Sequence, residues 1–234
     1  MANSFTGTAL RHLVLGSQLP APWQTRSVAH EAVAALRQVA EEASRCTRCR
    51  LAAGRTNVVF GMGDPQAALM FVGEGPGEQE DLQGLPFVGR SGQLLNRLML
   101  EELGIGRDGC YIANAVKCRP PGNRDPEADE IEACRPYLEA QLDLINPKVV
   151  VTLGNFATRT LLGTDQPISR LRGRVYKFRS GHLVPTFHPS AALRGGPVVV
   201  AQMRADFVRA KELLQASEPV LGAAVAVPLA ERLL

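Results

Sequence analysis

The chain has 234 residues, 45% of them hydrophobic and 21% charged, which excludes a disordered, collagen-like or coiled-coil protein and leaves enough chain for one sizeable core. Its 26 basic and 23 acidic side chains give a formal charge of +3, too small by itself to argue for a nucleic-acid partner. Five cysteines are an odd count that fits no secreted disulfide framework and turns attention to metal. No apolar run is long enough to cross a bilayer, and the first residues lack the compact apolar segment of a secretory signal. Residues 1–26, which carry Arg11 and Arg26 and are broken by Pro20 and Pro22, are expected to be a poorly ordered extension rather than a transit peptide.

Helical spacing of Val33, Leu36, Ala40 and Ala43 predicts a first helix from about Ser27, running into Cys46-Thr47-Arg48-Cys49. Residues 67–72 are a continuous apolar run, as in a strand buried on both faces. After Ser91, Leu94, Leu95, Leu98, Met99 and Leu103 share a helix face that Gly104 ends. Residues 110–116 predict a second strand, and Asp125-Pro126 the cap of a helix carrying Ile131, Leu138, Leu142 and Ile145. A third strand covers 149–153, with Gly154-Asn155 turning into a short helix. Residues 175–178 and 183–187 predict two more strands joined at Ser180-Gly181, and a last helix spans about 199–214. The final residues, 215–234, are expected to be a tail, leaving 27–214 as one domain. Strands alternating with helices predict an open, mostly parallel sheet covered on both faces. Ligands of such sheets sit at the carboxyl ends of the strands, so the loops from Gly73, Ala115, Gly154 and Phe187 are the ones to search.

Cys46 and Cys49 form a CxxC, and Cys118 and Cys134 a second pair; Cys110, inside an apolar strand, is a core residue. Arg45, Arg48, Arg50, Lys117, Arg119 and Arg135 flank these thiols, and cations favour thiolates and offset an anionic cluster. Four thiolates suit either tetrahedral zinc or an iron–sulfur cluster, and the spacing does not separate the two. The loop Gly73-Glu74-Gly75-Pro76-Gly77 with Glu78, Glu80 and Asp81 lacks a GxGxxG pattern, and its acids would repel a phosphate. A neutral ligand fits it better, with backbone N–H groups in contact and a carboxylate to orient a water. Phe87, between Pro86 and Gly89, is a core residue or a stacking platform for a flat ring.

These motifs together resemble the family 4 uracil-DNA glycosylases, the iron–sulfur branch of that superfamily. The residues that carry the resemblance are Gly73–Gly77 with Glu80-Asp81, Gly84–Gly89, Asn114–Arg124 and His188-Pro189-Ser190, across about residues 35–214. The resemblance implies a three-layer α/β/α sandwich with a four-stranded, mostly parallel sheet, and a [4Fe–4S] cluster on Cys46, Cys49, Cys118 and Cys134. It implies removal of uracil from single- or double-stranded DNA as a step of repair, by a cytoplasmic, nucleoid-associated monomer if the source is prokaryotic. Phe87 would stack on the extruded base, Asn114 read its O4 and N3–H, and His188 and the backbone at Gly75 and Gly77 bond the developing anion. Glu74, Glu80 and Asn123 compete for the attacking water, Glu74 alternatively filling the space of a thymine methyl. Leu193 would enter the vacated stack, with Arg194, Arg172 and Arg174, and the wider basic segment from Arg159 to Arg179, on DNA phosphates. Lys117 and Arg119 would do the same. A glycosylase for hypoxanthine or xanthine, and a non-catalytic, redox-sensing DNA-binding module, are the competing readings.

Overall fold

The computed structural model describes residues 22–216, with side chains from residue 30 onward. The extension and tail expected at the two ends lie almost wholly outside the described residues. The first helix, α1 (Pro22–Ser44), begins ahead of Ser27, with proline at its first position.

Strands β1 (Met62–Gly63), β2 (Leu69–Gly73), β3 (Tyr111–Asn114), β4 (Val149–Leu153), β5 (Tyr176–Phe178) and β6 (Gly181–Thr186) form one sheet in the order β1-β3-β2-β4-β6-β5. The four central strands are parallel, as expected; the sheet has six strands rather than four because β1 and β5 add antiparallel edges. Met62–Gly63 is too short to show a pattern in the sequence; it exists because the edge of β3 at Tyr111 and Ile112 is open to pairing. Every residue of β2, β3 and β4 is buried, the consequence of helices on both faces. One core lies between the sheet and helices α3 (Arg90–Leu98) and α7 (Pro189–Gln215), around Phe71, Leu95, Val151 and Phe207. The other lies under α4 (Ala128–Ile145), around Met70, Ala113, Leu138 and Val150.

Three elements depart from the sequence reading. Half of the acidic loop is a helix, α2 (Glu78–Gln83), whose first turn holds Glu78, Glu80 and Asp81, where carboxylates meet the positive end of the helix dipole. The cap of α4 is Glu127, not Asp125: Glu127 and Glu130 bond each other's backbone N–H groups in a capping box, and Glu130 also takes Arg124 at 2.9 Å. The last helix starts ten residues earlier than expected, at Pro189, and bends where Gly196 adopts φ 69° before Pro197. Short helices α5 (Asn155–Leu162) and α6 (Ile168–Leu171) complete the layers.

The order β3-β2-β4-β6 puts consecutive crossovers on opposite sides of β2. The carboxyl ends of β2 and β4 are therefore a topological switch point, where the connecting loops part and leave a crevice.

Candidate active site

A cavity of about 580 Å³ opens at that point. All four loops expected to carry chemistry line it: Glu74, Gly75 and Gly77 after β2, Asn114 at the end of β3, Gly154 to Phe156 after β4, and Phe187 and His188 after β6. Phe87, Glu80, Asn123 and Arg194 complete the wall. Thus the residues expected to hold the base, separated by over a hundred positions in the chain, share one pocket.

Asn114 is 1% exposed, and its Oδ1 is the buried side-chain oxygen or nitrogen that lacks a hydrogen-bond partner among the described residues. An unpaired acceptor of this kind costs about 1–3 kcal/mol, and because Asn114 lines the cavity its Oδ1 is placed to take a donor from a molecule that enters. Gly73 is what lets Asn114 and Phe87 approach each other: a Cβ there would sit 2.4 Å from Asn114 Oδ1 and 2.5 Å from the tip of the Phe87 ring.

Phe87 has φ 53°, the left-handed region that a bulky side chain rarely adopts. Three groups hold it there. Glu80 Oε1 accepts from the N–H groups of Val88 and Gly89 at 2.9 and 2.8 Å. The Arg107 guanidinium donates to the Phe87 carbonyl at 2.9 Å and to that of Pro86. Gly92 lies so close beneath that a Cβ would come within 1.8 Å of the Phe87 oxygen. Glu80, one of three candidates to orient water, therefore has one carboxylate oxygen engaged by the loop that aims Phe87. Arg107 was invisible in the sequence, standing among no motif; only its distance of 20 positions from Phe87, closed by the turn of α3, makes it a clamp. If Phe87 stacks on the base, as the resemblance implies, Glu80→Gln should loosen the loop that aims it and raise KM by about tenfold with a smaller change in kcat, as steady-state kinetics would show.

The His188 ring lies 5.8 Å from that of Phe87, tilted by 37°. Its side chain caps α7: Nδ1 accepts from the Ser190 N–H at 3.2 Å and lies 2.8 Å from Ser190 Oγ. An Nδ1 that accepts leaves the ring proton on Nε2, the nitrogen free to donate into the pocket. Burial, then the charge of Arg194, pull the His188 pKa down to about 4 against the opposing effect of Glu80, so the ring is neutral at physiological pH. Glu74 goes the other way: burial, helped by Asp125, pushes its carboxyl up to about 7. Asn123, the third candidate for the water, is exposed, and its Oδ1 accepts from Arg119 at 2.8 Å.

The expected DNA-facing residues divide. Leu193 is 45% exposed, and Arg194 stands at the cavity rim. Arg174 is exposed away from the cavity lining. Arg172 turns inward, paired with the fully buried Asp206 at 2.8 Å and stacked over Phe187, so it braces the end of β6 instead of offering a free charge. Arg179 is likewise engaged by Glu139 and Asp143. Lys117 is 1% exposed and out of reach of a phosphate.

On the other side of α4, Cys46, Cys49, Cys118 and Cys134 line one small cavity together with Arg48, Arg55, Lys117 and Tyr137. None of the four is in a disulfide, and no three of the described His, Cys, Asp and Glu side chains gather tightly enough to hold a single metal ion. Arg55 donates to Cys118 Sγ at 3.5 Å and the Lys117 N–H to Cys134 Sγ at 3.2 Å. Cys110 is fully buried beside Gly106, the core residue that was expected.

A crevice at a parallel switch point, lined by the Phe87 ring, an open amide and a neutral imidazole, has the groups to grip a planar heterocycle and to stabilise negative charge on it. The model of the uracil DNA glycosylase superfamily matches residues 60–212. The type-4 uracil-DNA glycosylase of Sulfurisphaera tokodaii is 46% identical over 186 residues, 76% of this chain and 84% of that one. Those of Saccharolobus solfataricus and Thermotoga maritima are 44% and 49% identical, over 78% and 67% of this chain and 87% and 82% of theirs. The chain belongs to the uracil DNA glycosylase superfamily, in its type-4 branch.

Proposed function

We propose that this chain extrudes uracil from single- or double-stranded DNA into the switch-point cavity and hydrolyses its N-glycosidic bond without a covalent intermediate. The observation that carries the reading is the orphaned, buried Oδ1 of Asn114. Uracil N3–H supplies the missing donor, and the amide Nδ2 then faces O4; cytosine, with no N3–H and a donor at C4, matches neither. Phe87 carries the ring. As the bond from C1′ to N1 breaks, its electron pair passes into the uracil ring and gathers on O2. The Nε2–H of the neutral His188 donates there, and its bond strengthens as the charge grows. Water adds to C1′ on the opposite side, its proton goes to Glu74, and N1 of the departed base is protonated later. Glu74 fits that role best of the three candidates, since its carboxyl lies free in the cavity and titrates close to the working pH.

DNA contact in this reading falls to Leu193 and Arg194 at the rim, with Arg174 and Arg170 further out. The protein works as a monomer beside the cell's DNA; among the described residues no helix is long and apolar enough to cross a membrane. The cysteine cavity fits a [4Fe–4S] cluster: four soft donors, cationic neighbours and N–H groups aimed at sulfur suit an anionic multi-iron group better than one ion. Such a cluster would be held by Cys46, Cys49, Cys118 and Cys134 and would cross-link three segments of the fold.

The test is alkali-induced cleavage of oligonucleotides carrying uracil, thymine or hypoxanthine, assayed side by side. Cutting at uracil alone is expected. Cutting at hypoxanthine would overturn the assignment of the base, and no cutting with enzyme in excess would favour the non-catalytic module. The pH profile follows from Glu74. Its carboxyl must be ionised to accept a proton, so kcat falls about tenfold per unit as pH drops below about 7. His188 is already neutral in that range and adds no second inflection. The Glu74→Gln variant is expected to be slow and flat across the same pH window, as single-turnover rates would show.

A further inference from the structure

Lys117 is among the largest fully buried side chains of the protein, and no carboxylate pairs with it among the described residues. Its ammonium donates to the backbone carbonyl of Asn114 at 2.7 Å and to Gln141 Oε1 at 2.5 Å, and lies 5.8 Å from the centre of the Phe60 ring. A charge buried with only neutral acceptors is expensive, and a core methionine of similar volume would avoid the expense. What the charge does is visible from the strand it touches. Asn114 is the last residue of β3, and β1 pairs with β3 only as far as Ile112. On that side the ladder has ended, and Lys117 takes the Asn114 carbonyl in place of a neighbouring strand. Gln141 is itself fixed, donating to the Phe60 carbonyl at 2.8 Å and lying 3.3 Å from the Tyr111 hydroxyl. It stands two turns along α4 from Cys134, and the Lys117 N–H donates to the sulfur of that same cysteine.

We propose that Lys117 is the positioning residue for base reading: it ties the Asn114 backbone to α4 and the cysteine loop, and so fixes the amide that faces the base. The inference rests on the assignment of Asn114 as the uracil reader. It also gives the cysteine cavity a task beyond bracing, because an anionic cluster there would supply the countercharge that the protein withholds from Lys117. The side chain acts through Asn114 and does not touch the base.

Lys117→Met separates this from its rivals. We expect a 10- to 100-fold lower kcat on uracil-DNA and a similar loss of affinity for free uracil, with iron content unchanged. The slope of DNA affinity against salt should also stay unchanged, since a buried ammonium releases no counterions; a lysine on a phosphate would lower that slope by about one. A lower melting temperature with free-uracil affinity intact would reduce Lys117 to a structural residue and overturn the proposal. Should Lys117→Met fail to fold, Gln141→Glu decides. A carboxylate at 141 draws the ammonium off the Asn114 carbonyl, so folded, iron-loaded protein should turn over uracil several-fold more slowly and bind free uracil more weakly. Wild-type rates and affinity in that variant would refute the idea. Inactivity of the wild-type chain on uracil-DNA would instead sink the functional reading, a result neither variant produces.

Discussion

Replacing His188 with alanine should lower turnover on uracil-DNA by roughly 10²–10³-fold and leave affinity for the same DNA within a few-fold. The imbalance follows from where the Nε2–H bond gains strength. In bound substrate O2 is a neutral carbonyl, and the hydrogen bond is an ordinary one. At the transition state O2 carries much of an electron pair, in a cavity where His188 is already fixed by Ser190 and pays no reorganisation. In the proposed reading DNA affinity comes instead from phosphates, from Arg194 at the rim and from the exposed Leu193, which the substitution leaves in place. Asn114→Ala should act in the same direction, because uracil that enters a pocket without the amide leaves N3–H and O4 unpaired. The double variant should lose less than the product of the two, since both residues hold one ring in one orientation. Single-turnover rates set beside equilibrium binding to a non-cleavable uracil analogue measure the split; equal losses in rate and affinity would contradict both assignments.

That the place of His188 and Asn114 in the crevice could be expected from the sequence, and the partners of Glu80, Arg172 and Lys117 could not, has a physical basis. Asn114 ends β3 and His188 follows β6 by two residues, and the carboxyl ends of parallel strands are where the crevice of such a sheet opens. The central strands were equally plain, because burial on both faces forces continuous apolar runs such as Val149–Leu153. The partner of a charge carries no such local signal. Arg172 sits in a run of basic residues that suggests a solvated face, yet it meets Asp206 across 34 positions only after α7 has folded back on the sheet. Lys117, flanked by Cys118 and Arg119, has the sequence of a surface cation and is only 1% exposed. Glu80 appeared as one more acid in an acidic loop. Its role emerged from the helix α2 that those acids form, which aims the carboxylate at two backbone N–H groups eight and nine residues on. Phe87 in the left-handed region was likewise beyond reach of the sequence, because the groups that enforce it come from α2, α3 and the segment at Arg107.

Cys134→Ser should yield a colourless protein that keeps its sheet but loses the attachment of its first helix, whereas the wild-type chain should be brown and rich in iron. The described side chains of α1 reach the rest of the fold chiefly through α4, with Leu36 and Ala43 buried. Beyond α1, the chain is held by the buried Leu51, by Arg55 donating to the Cys46 carbonyl and by ion pairs of Arg50 with Glu127 and Asp129. Those pairs are exposed and contribute little. A cluster on four cysteines would therefore add to the packing of Ala43, Leu51, Val116 and Tyr137 a covalent link between α1, the loop after β3 and α4, and its loss should cost roughly 3–5 kcal/mol. In a domain of this size that lowers the melting midpoint by about 10 °C. Far-ultraviolet dichroism should lose no more than the contribution of α1, since the strands at the sheet centre lie away from the cysteines. Limited proteolysis should cut first between residues 44 and 56, the segment that such a cluster would pin. Cys110→Ala is the control: its sulfur is buried near Gly106 and outside the cavity, so that variant should stay brown and intact between those residues. A wild-type protein carrying zinc after anaerobic expression, or a Cys134→Ser variant as stable as its parent, would remove the cluster from the account while leaving the base pocket untouched.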